Sequence, residues 1–382
     1  MSSSGPIFRA AGDHRRAGRA DDGSAMPMTR MFAEASEASA VIAGQLAANA
    51  GDLRLLAERL RRANPRVIFT CARGSSDHAA SFAKYLFETH LGIPTLSYAP
   101  SISSIYGRAL THMAGQPFIA ISQSGKSPDL LASAKAARGA GALVIALTND
   151  ANSPLAAIAE IMVPLHAGPE ISVAATKSYI ATLGAIVHLA SLWREERELT
   201  SALAKLPEDL ADAWDADWSA GVDMLQNARH LYVLGRALTF GIAQEAALKC
   251  KETCRIHGEA FSIAEVAHGP MALAGPEFPL LVFPPLGEAA IGLDSILPAF
   301  RARGAPVAII GAKPEQTGGW AKARGEARAK HWADLPLAAG LHPVTAPIAM
   351  IQSFYRLANA LALRRGLDPD NPPMLRKITE TQ

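Results

Sequence analysis

Ser122-Gln123-Ser124-Gly125-Lys126-Ser127-Pro128-Asp129 sets hydroxyls and a glycine between an apolar run and an expected helix. A helix N-terminus leaves backbone N–H groups without partners and carries about half a positive charge. Hydroxyls and a conformationally free glycine placed there make a cradle for an anion. Pro128 suits the first helical turn, where its missing N–H costs nothing. On composition alone the loop reads equally well as a capped helix start with a serine-rich turn. It lacks the Lys-Ser/Thr ending of a nucleotide P-loop, and no G-x-G-x-x-G follows the first expected strand, which argues against ATP and dinucleotides. A second hydroxyl cluster, Gly74-Ser75-Ser76, follows that first strand in the equivalent position. Lys249 and Glu252, three apart on an expected helix, share one face. A carboxylate whose pKa is set by burial or by such a neighbour can carry a proton between carbons. Without further context the pair reads as a surface ion pair. His268 can titrate near neutrality, and otherwise reads as a loop histidine before a Gly-Pro turn.

Apolar runs alternating with Ala/Leu-rich helical stretches predict an α/β chain with parallel sheets covered by helices. Strands are expected at Arg66–Cys71, Pro117–Ser122, Leu143–Thr148, Glu160–Leu165, His230–Leu234, Phe278–Phe283 and Val307–Gly311. Helices are expected near Asp77–His90, Asp129–Gly139, Ala175–Glu195, Phe240–Arg255, Ile291–Arg303 and Ala346–Gly366. The two halves read as copies offset by roughly 160 residues, a duplicated domain rather than a solenoid period. The second copy has Phe283-Pro284-Pro285-Leu286-Gly287 where the first has its serine loop, so one phosphate site per chain is expected. The division expected is a disordered leader (1–27), a helical segment (28–64), two domains (65–200 and 219–366), a linker (201–218) and a tail (367–382). Pro207 and neighbouring acidic residues mark the linker, and Asn64-Pro65 stops the first helical stretch.

The 382 residues are 49% hydrophobic and 19% charged with a net charge of +2, a globular composition with no basic stripe for nucleic acid or an anionic membrane. Cys71, Cys250 and Cys254 lack the second pair that a zinc site needs, and read as reduced packing thiols. With no apolar run long enough to span a bilayer and no secretion signal, a cytoplasmic protein without membrane, metal or cofactor is expected.

Six segments in order carry a specific resemblance. They are Ala72-Arg-Gly-Ser-Ser-Asp-His-Ala79, the Ser-Gln-Ser-Gly loop, Ala167-Gly-Pro-Glu-Ile-Ser-Val-Ala-Ala-Thr-Lys177, Glu245-Ala-Ala-Leu-Lys-Cys-Lys-Glu252, Glu265-Val-Ala-His-Gly-Pro270 and Leu375-Arg-Lys-Ile-Thr-Glu380. The chain resembles the sugar isomerase (SIS) domain proteins, most closely the isomerase half of glucosamine-6-phosphate synthase and its free-standing deaminase relatives. The resemblance implies two tandem SIS domains, each a doubly wound, flavodoxin-like parallel sheet, with an N-terminal helix and an ordered C-terminal tail. It implies that Ser76, Ser122, Gln123, Ser124 and Ser127 surround a phosphate and that Val173 meets the sugar through its backbone. Glu252 falls on the proton-transferring carboxylate. Lys249 and His268 fall on positions that assist ring opening, with His268 reaching in from the other subunit of a homodimer. Lys377 falls on a tail lysine that closes the site, where the plain reading is a solvated charge.

The chain opens Met1-Ser2, without the cysteine on which the synthase relies for glutamine hydrolysis, and little sequence precedes the first repeat. The releasing direction is therefore expected: glucosamine 6-phosphate to fructose 6-phosphate and ammonia. Gly235-Arg-Ala-Leu-Thr-Phe240, Met374 and Arg376 depart from the synthase pattern and leave open which phosphosugar is used. The alternatives are an isomerase, a fructosamine-phosphate deglycase, or a non-catalytic sugar-phosphate sensor.

Overall fold

The computed structural model describes residues 28–108, 111–290, 293–311 and 332–377. The expected leader at 1–27 and the last residues of the tail motif lie outside them. Among the described residues, ten strands form two sheets, each of five parallel strands. The first contains β1 (Ile68–Cys71), β2 (Thr95–Ser97), β3 (Pro117–Ile121), β4 (Leu143–Thr148) and β5 (Ile161–Pro164), in the order β2-β1-β3-β4-β5. The second contains β6 (His230–Gly235), β7 (His257–Ser262), β8 (Leu280–Val282), β9 (Val307–Gly311) and β10 (Trp332–Pro336). Its order, β7-β6-β8-β9-β10, repeats the first, so the duplication seen in sequence is one of topology. Both are the flavodoxin-like order, with a switch point where the first strand meets the third.

Strands buried on both faces read as continuous apolar runs, as in β3 and β4, where every residue is buried. The short β2, with two exposed residues, and the half-exposed β7 and β10 are the strands that escape a periodicity reading; β2, β7 and β10 all lie at sheet edges.

The expected linker is not an interruption. Arg197–Asp215 is one helix with Pro207 inside it. Leu199, Leu203, Leu206, Leu210 and Ala213 are all buried, so the apolar stripe runs straight through the proline. Burying that stripe outweighs the roughly 3 kcal/mol that an interior proline costs. At the N-terminus, Arg30–Ser36 and Ala38–Ala63 form two helices, and Asn64 ends the second in a left-handed conformation (φ 45°).

One apolar cluster runs from Met31 through Phe82, Ile186 and Ile242 to Ala362, joining the halves, while smaller clusters fill the opposite face of each sheet. Helix Leu238–Cys254 of the second half packs directly on Ser75–Leu91 of the first. Gly241 permits this approach, because a Cβ there would lie 2.6 Å from the His78 carbonyl oxygen. That packing brings the carboxyl ends of β1 and β3 beside the charged face of the second-half helix.

Candidate active site

β1 and β3 are neighbours at the first switch point, and the loops leaving their carboxyl ends converge. Helices Ser75–Leu91 and Pro128–Gly139 both begin there, and neither start is capped by a side-chain hydrogen bond. Leu130 N–H is taken by Asp129 Oδ1 and Asp77 N–H by the Gly74 carbonyl, which leaves the Ser75, Ser76 and Asp129 amides for a ligand. Gly125 donates its N–H to Ser122 Oγ at 3.1 Å, and Lys126 donates its N–H to Ser124 Oγ at 3.3 Å, fixing the hydroxyls in place.

Gly125 sits at φ 62°, and a Cβ there would lie 2.3 Å from Ser153 Oγ. Gly125→Ala is therefore expected to cost about 1–3 kcal/mol of stability and to weaken inorganic phosphate binding. Thermal unfolding with and without phosphate checks this; an unchanged melting temperature and unchanged phosphate protection would count against the cradle geometry.

Glu245, Lys249 and Glu252 follow at i, i+4 and i+7 along helix Leu238–Cys254. Lys249 Nζ lies 2.6 Å from Glu252 Oε2, 3.1 Å from Glu245 Oε1 and 3.1 Å from Ser75 Oγ. Glu245 is fully buried and is also reached by Ser75 Oγ (3.1 Å), His78 Nδ1 (3.0 Å) and the Tyr355 hydroxyl (3.3 Å). Burial by itself raises a carboxylate and lowers an ammonium. Here Lys249 and His78 overcome burial and hold Glu245 below the usual carboxylate range. In the same way, Glu245 and then Glu252 overcome burial and push Lys249 above the usual lysine range. Lys249 stays charged. Glu252 is partly exposed, its side chain 18% accessible, and its Oε1 has no protein partner among the described residues.

The third wall is the loop before helix Lys177–Arg194. Glu170, wholly buried, accepts from the Thr176 and Ser178 N–H groups (2.9 and 3.1 Å) and receives Lys377 Nζ at 3.0 Å. Burial opposes that charge, but Lys377 and the hydrogen bonds prevail, so Glu170 is held below its usual range. Glu34 grips the same loop, accepting from Ile171 N–H and from both the N–H and the hydroxyl of Ser172. Asp370 of the tail accepts from the Arg30 and Met31 N–H groups at 2.8 Å each, so tail, first helix and loop are tied together. Glu34→Ala orphans the buried Ser172 donors and is expected to cost about 1–3 kcal/mol. Urea unfolding measures it, with faster proteolysis within 168–176 as the companion result.

These three walls enclose a cavity of about 330 Å³. A separate hollow of about 480 Å³ lies beside Phe32, Trp218 and Leu357, its walls mixed with polar residues such as Asp217 and Asn359, with Arg356 turned to the Trp214 carbonyl and Arg364 to Asp223.

The SIS domain model matches residues 59–192, which contain β1–β5, and 224–317, which contain β6–β9. The chain belongs to the SIS domain family. Among SIS relatives, a glutamine–fructose-6-phosphate aminotransferase (isomerizing) from Treponema pallidum is 32% identical over 335 residues, 84% of this chain and 52% of that one. One from Methanothermobacter thermautotrophicus is 33% identical over 330 residues, 83% of this chain and 52% of that one. The chain thus spans about half the length of these curated relatives. A solved structure from Silicibacter pomeroyi, assigned as a phosphosugar isomerase, superposes with a TM-score of 0.81 at 38% identity, covering 90% of this chain and all of that one. A glucosamine-6-phosphate deaminase from Thermotoga maritima shares the fold at a TM-score of 0.72 and 18% identity, with 92% of this chain covered and 100% of that one.

Within this SIS frame the cavity gathers Ser76, Ser122, Gln123, Ser124, Ser127, Val173, Lys249, Glu252 and Lys377. His268 is not brought to it by its own chain. It stands exposed between two short 3₁₀ turns, Glu265–Ala267 and Pro270–Leu273. Sequence reasoning missed Arg73, Glu170 and Glu245 as parts of the site. Glu245 left one signal: three charges at 245, 249 and 252 on a single face of an otherwise Ala- and Cys-rich helix.

Proposed function

We propose that this protein is an amino-sugar-phosphate deaminase, converting glucosamine 6-phosphate to fructose 6-phosphate and ammonia. The observation that carries the reading is Lys249, a buried ammonium bridging Glu245 and Glu252 beside a hydroxyl-lined, two-helix anion cradle. With the phosphate in that cradle, the open-chain sugar extends along the cavity toward Glu252. Glu252 takes the proton from C2, and the electrons of that bond form the enolamine with the C1 aldehyde. The same carboxyl returns the proton to C1, leaving an imine at C2. Water adds to C2, the C–N bond breaks, and ammonia leaves as the ketone forms. Lys249 holds the carboxylate in place and supplies positive charge as the enolamine oxygen gains electron density.

All of the chain's 3 cysteines are described and buried. Burial pushes Cys71 up to about 12 and Cys254 up to about 11, and lifts Cys250 well above the usual range. These three are packing thiols held in the neutral form. Free, buried thiols also suit a cytoplasmic setting.

The site is completed, on this proposal, by His268 of a second copy, making the protein a homodimer. Mixing inactive His268→Ala and Glu252→Gln subunits tests this arrangement, since shared sites would regain activity up to about a quarter of wild type by random pairing. A second reading, phosphosugar isomerisation without deamination, uses the same base and is favoured by the assignment of the 38%-identical relative. Ammonia release from glucosamine 6-phosphate separates the two.

A further inference from the structure

We propose that Arg73 is the charge-reading residue of the phosphate end: its guanidinium, fixed by buried Asp129, takes one edge of the phosphoryl dianion and sets a preference for phosphate over a singly charged ester. The proposal rests on the reading of the cavity as a phosphosugar site and is independent of deamination.

The cradle's hydroxyls and amides are neutral and would accept any tetrahedral anion. A fixed cation beside them adds more for a dianion than for a monoanion. Among the cavity's cations, Lys249 is taken by Glu245 and Glu252, and Lys377 by Glu170. Lys126, within the serine loop itself, pairs with Asp150 at 3.3 Å. Arg376 lies on the tail and is exposed.

Arg73 is placed differently. It stands one residue before Gly74, and its Nε and Nη2 each reach Asp129 Oδ2 at 2.8 Å. Asp129 belongs to the first turn after Ser127, its side chain is fully buried, and its other oxygen accepts from Leu130 N–H at 2.8 Å. The pair therefore ties the loop after β1 to the loop after β3, the two halves of the cradle. About half of the Arg73 side chain (52%) remains exposed, it lines the cavity, and Nη1 has no protein partner among the described residues. A guanidinium held on one edge by a carboxylate presents its other edge as a planar, oriented donor pair, the geometry for bidentate contact with a phosphoryl group.

The competing role is a staple between loops with no contact to ligand. The two are separated by comparing esters of equal shape and unequal charge. Calorimetry on the full chain would give Kd for glucitol 6-phosphate and glucitol 6-sulfate, neither of which can react. Steady-state kinetics would give KM and kcat for glucosamine 6-phosphate. Arg73→Gln is expected to weaken the phosphate ester about 10- to 100-fold and the sulfate ester less than about threefold, with kcat within about threefold. Arg73→Lys should restore part of the preference, returning the charge without the fork. Because Arg73→Gln strands a buried carboxylate, Arg73→Gln/Asp129→Asn provides a second variant that removes both charges, and it must show the same collapse of selectivity. Equal losses on both esters, a fall in kcat at unchanged KM, or a collapse produced by Arg376→Gln and not by Arg73→Gln would each overturn the assignment. If wild type binds the phosphate ester but releases no ammonia from glucosamine 6-phosphate, deamination fails while Arg73 is still judged by its two Kd values. No binding of either ester to wild type would overturn both.

Discussion

Glu252→Gln is expected to abolish exchange of the sugar's C2 hydrogen with solvent and to lower kcat by about 10²–10⁴-fold, while phosphosugar affinity changes little. The reason is local. The glutamine amide oxygen can still accept from Lys249, now 2.6 Å from Glu252 Oε2, so the buried ammonium keeps a partner. The cradle hydroxyls lie on loops from the first half and are untouched by the change. What the amide cannot do is take up a proton and return it. Deuterium incorporation at C2 followed by NMR in heavy water reads this step directly, and phosphate competition reads binding. Exchange that survives would mean that another group removes the proton.

Lys249→Met is expected to destabilise the fold by about 3–5 kcal/mol at pH 7, because it strands a buried carboxylate without its cation. In wild type, Glu245 and Glu170 sit below their ordinary pKa values. Their contribution is therefore present above the usual carboxylate pKa of about 4.3 and lost as pH falls through the folded values. Lys249, displaced upward, contributes fully below the usual lysine pKa and loses that contribution only as pH rises past its folded value. Removing the lysine leaves burial as the dominant influence on Glu245 and reverses its shift. The variant then gains stability from protonation as pH falls toward about 4.3, above the range in which wild type loses its own contribution. Urea unfolding of both proteins at pH 7 and pH 4.5 should show the gap narrowing in acid. A gap under about 1 kcal/mol at pH 7, or one that does not change with pH, would show that Glu245 is solvated rather than held by the lysine.

Much of the scaffold was legible because fully buried parallel strands are continuous in sequence. Leu143–Thr148 and Val307–Gly311 are found with the bounds read from the residues. Thr95–Ser97, His257–Ser262 and Trp332–Pro336 escaped because edge strands are short or half-solvated and carry polar residues that break the run. Pro207 misled in the other direction, since proline is a strong stop signal and only tertiary burial of the leucine stripe shows that the helix continues. In the site, the serine cradle announced itself through residue type at a strand-to-helix turn. Glu170 and Asp129 did not, and Glu245 did so only through its spacing from Lys249 and Glu252, because a carboxylate in a helix or loop is ordinarily solvated. Their partners, Lys377, Arg73 and His78, stand 207, 56 and 167 residues away in sequence. Pairings of that range belong to the fold, not to any local pattern. His268 belongs to a further level, since its proposed role needs a second copy of the chain.

The most direct test of deamination is a single reaction with glucosamine 6-phosphate labelled with ¹⁵N at the amine, following ammonium and fructose 6-phosphate together by NMR. Equimolar formation of the two, with Glu252→Gln silent in both signals, is the expected outcome. Labelled nitrogen that stays on the sugar while wild type binds the phosphate, or ammonium release undiminished in Glu252→Gln, would contradict it.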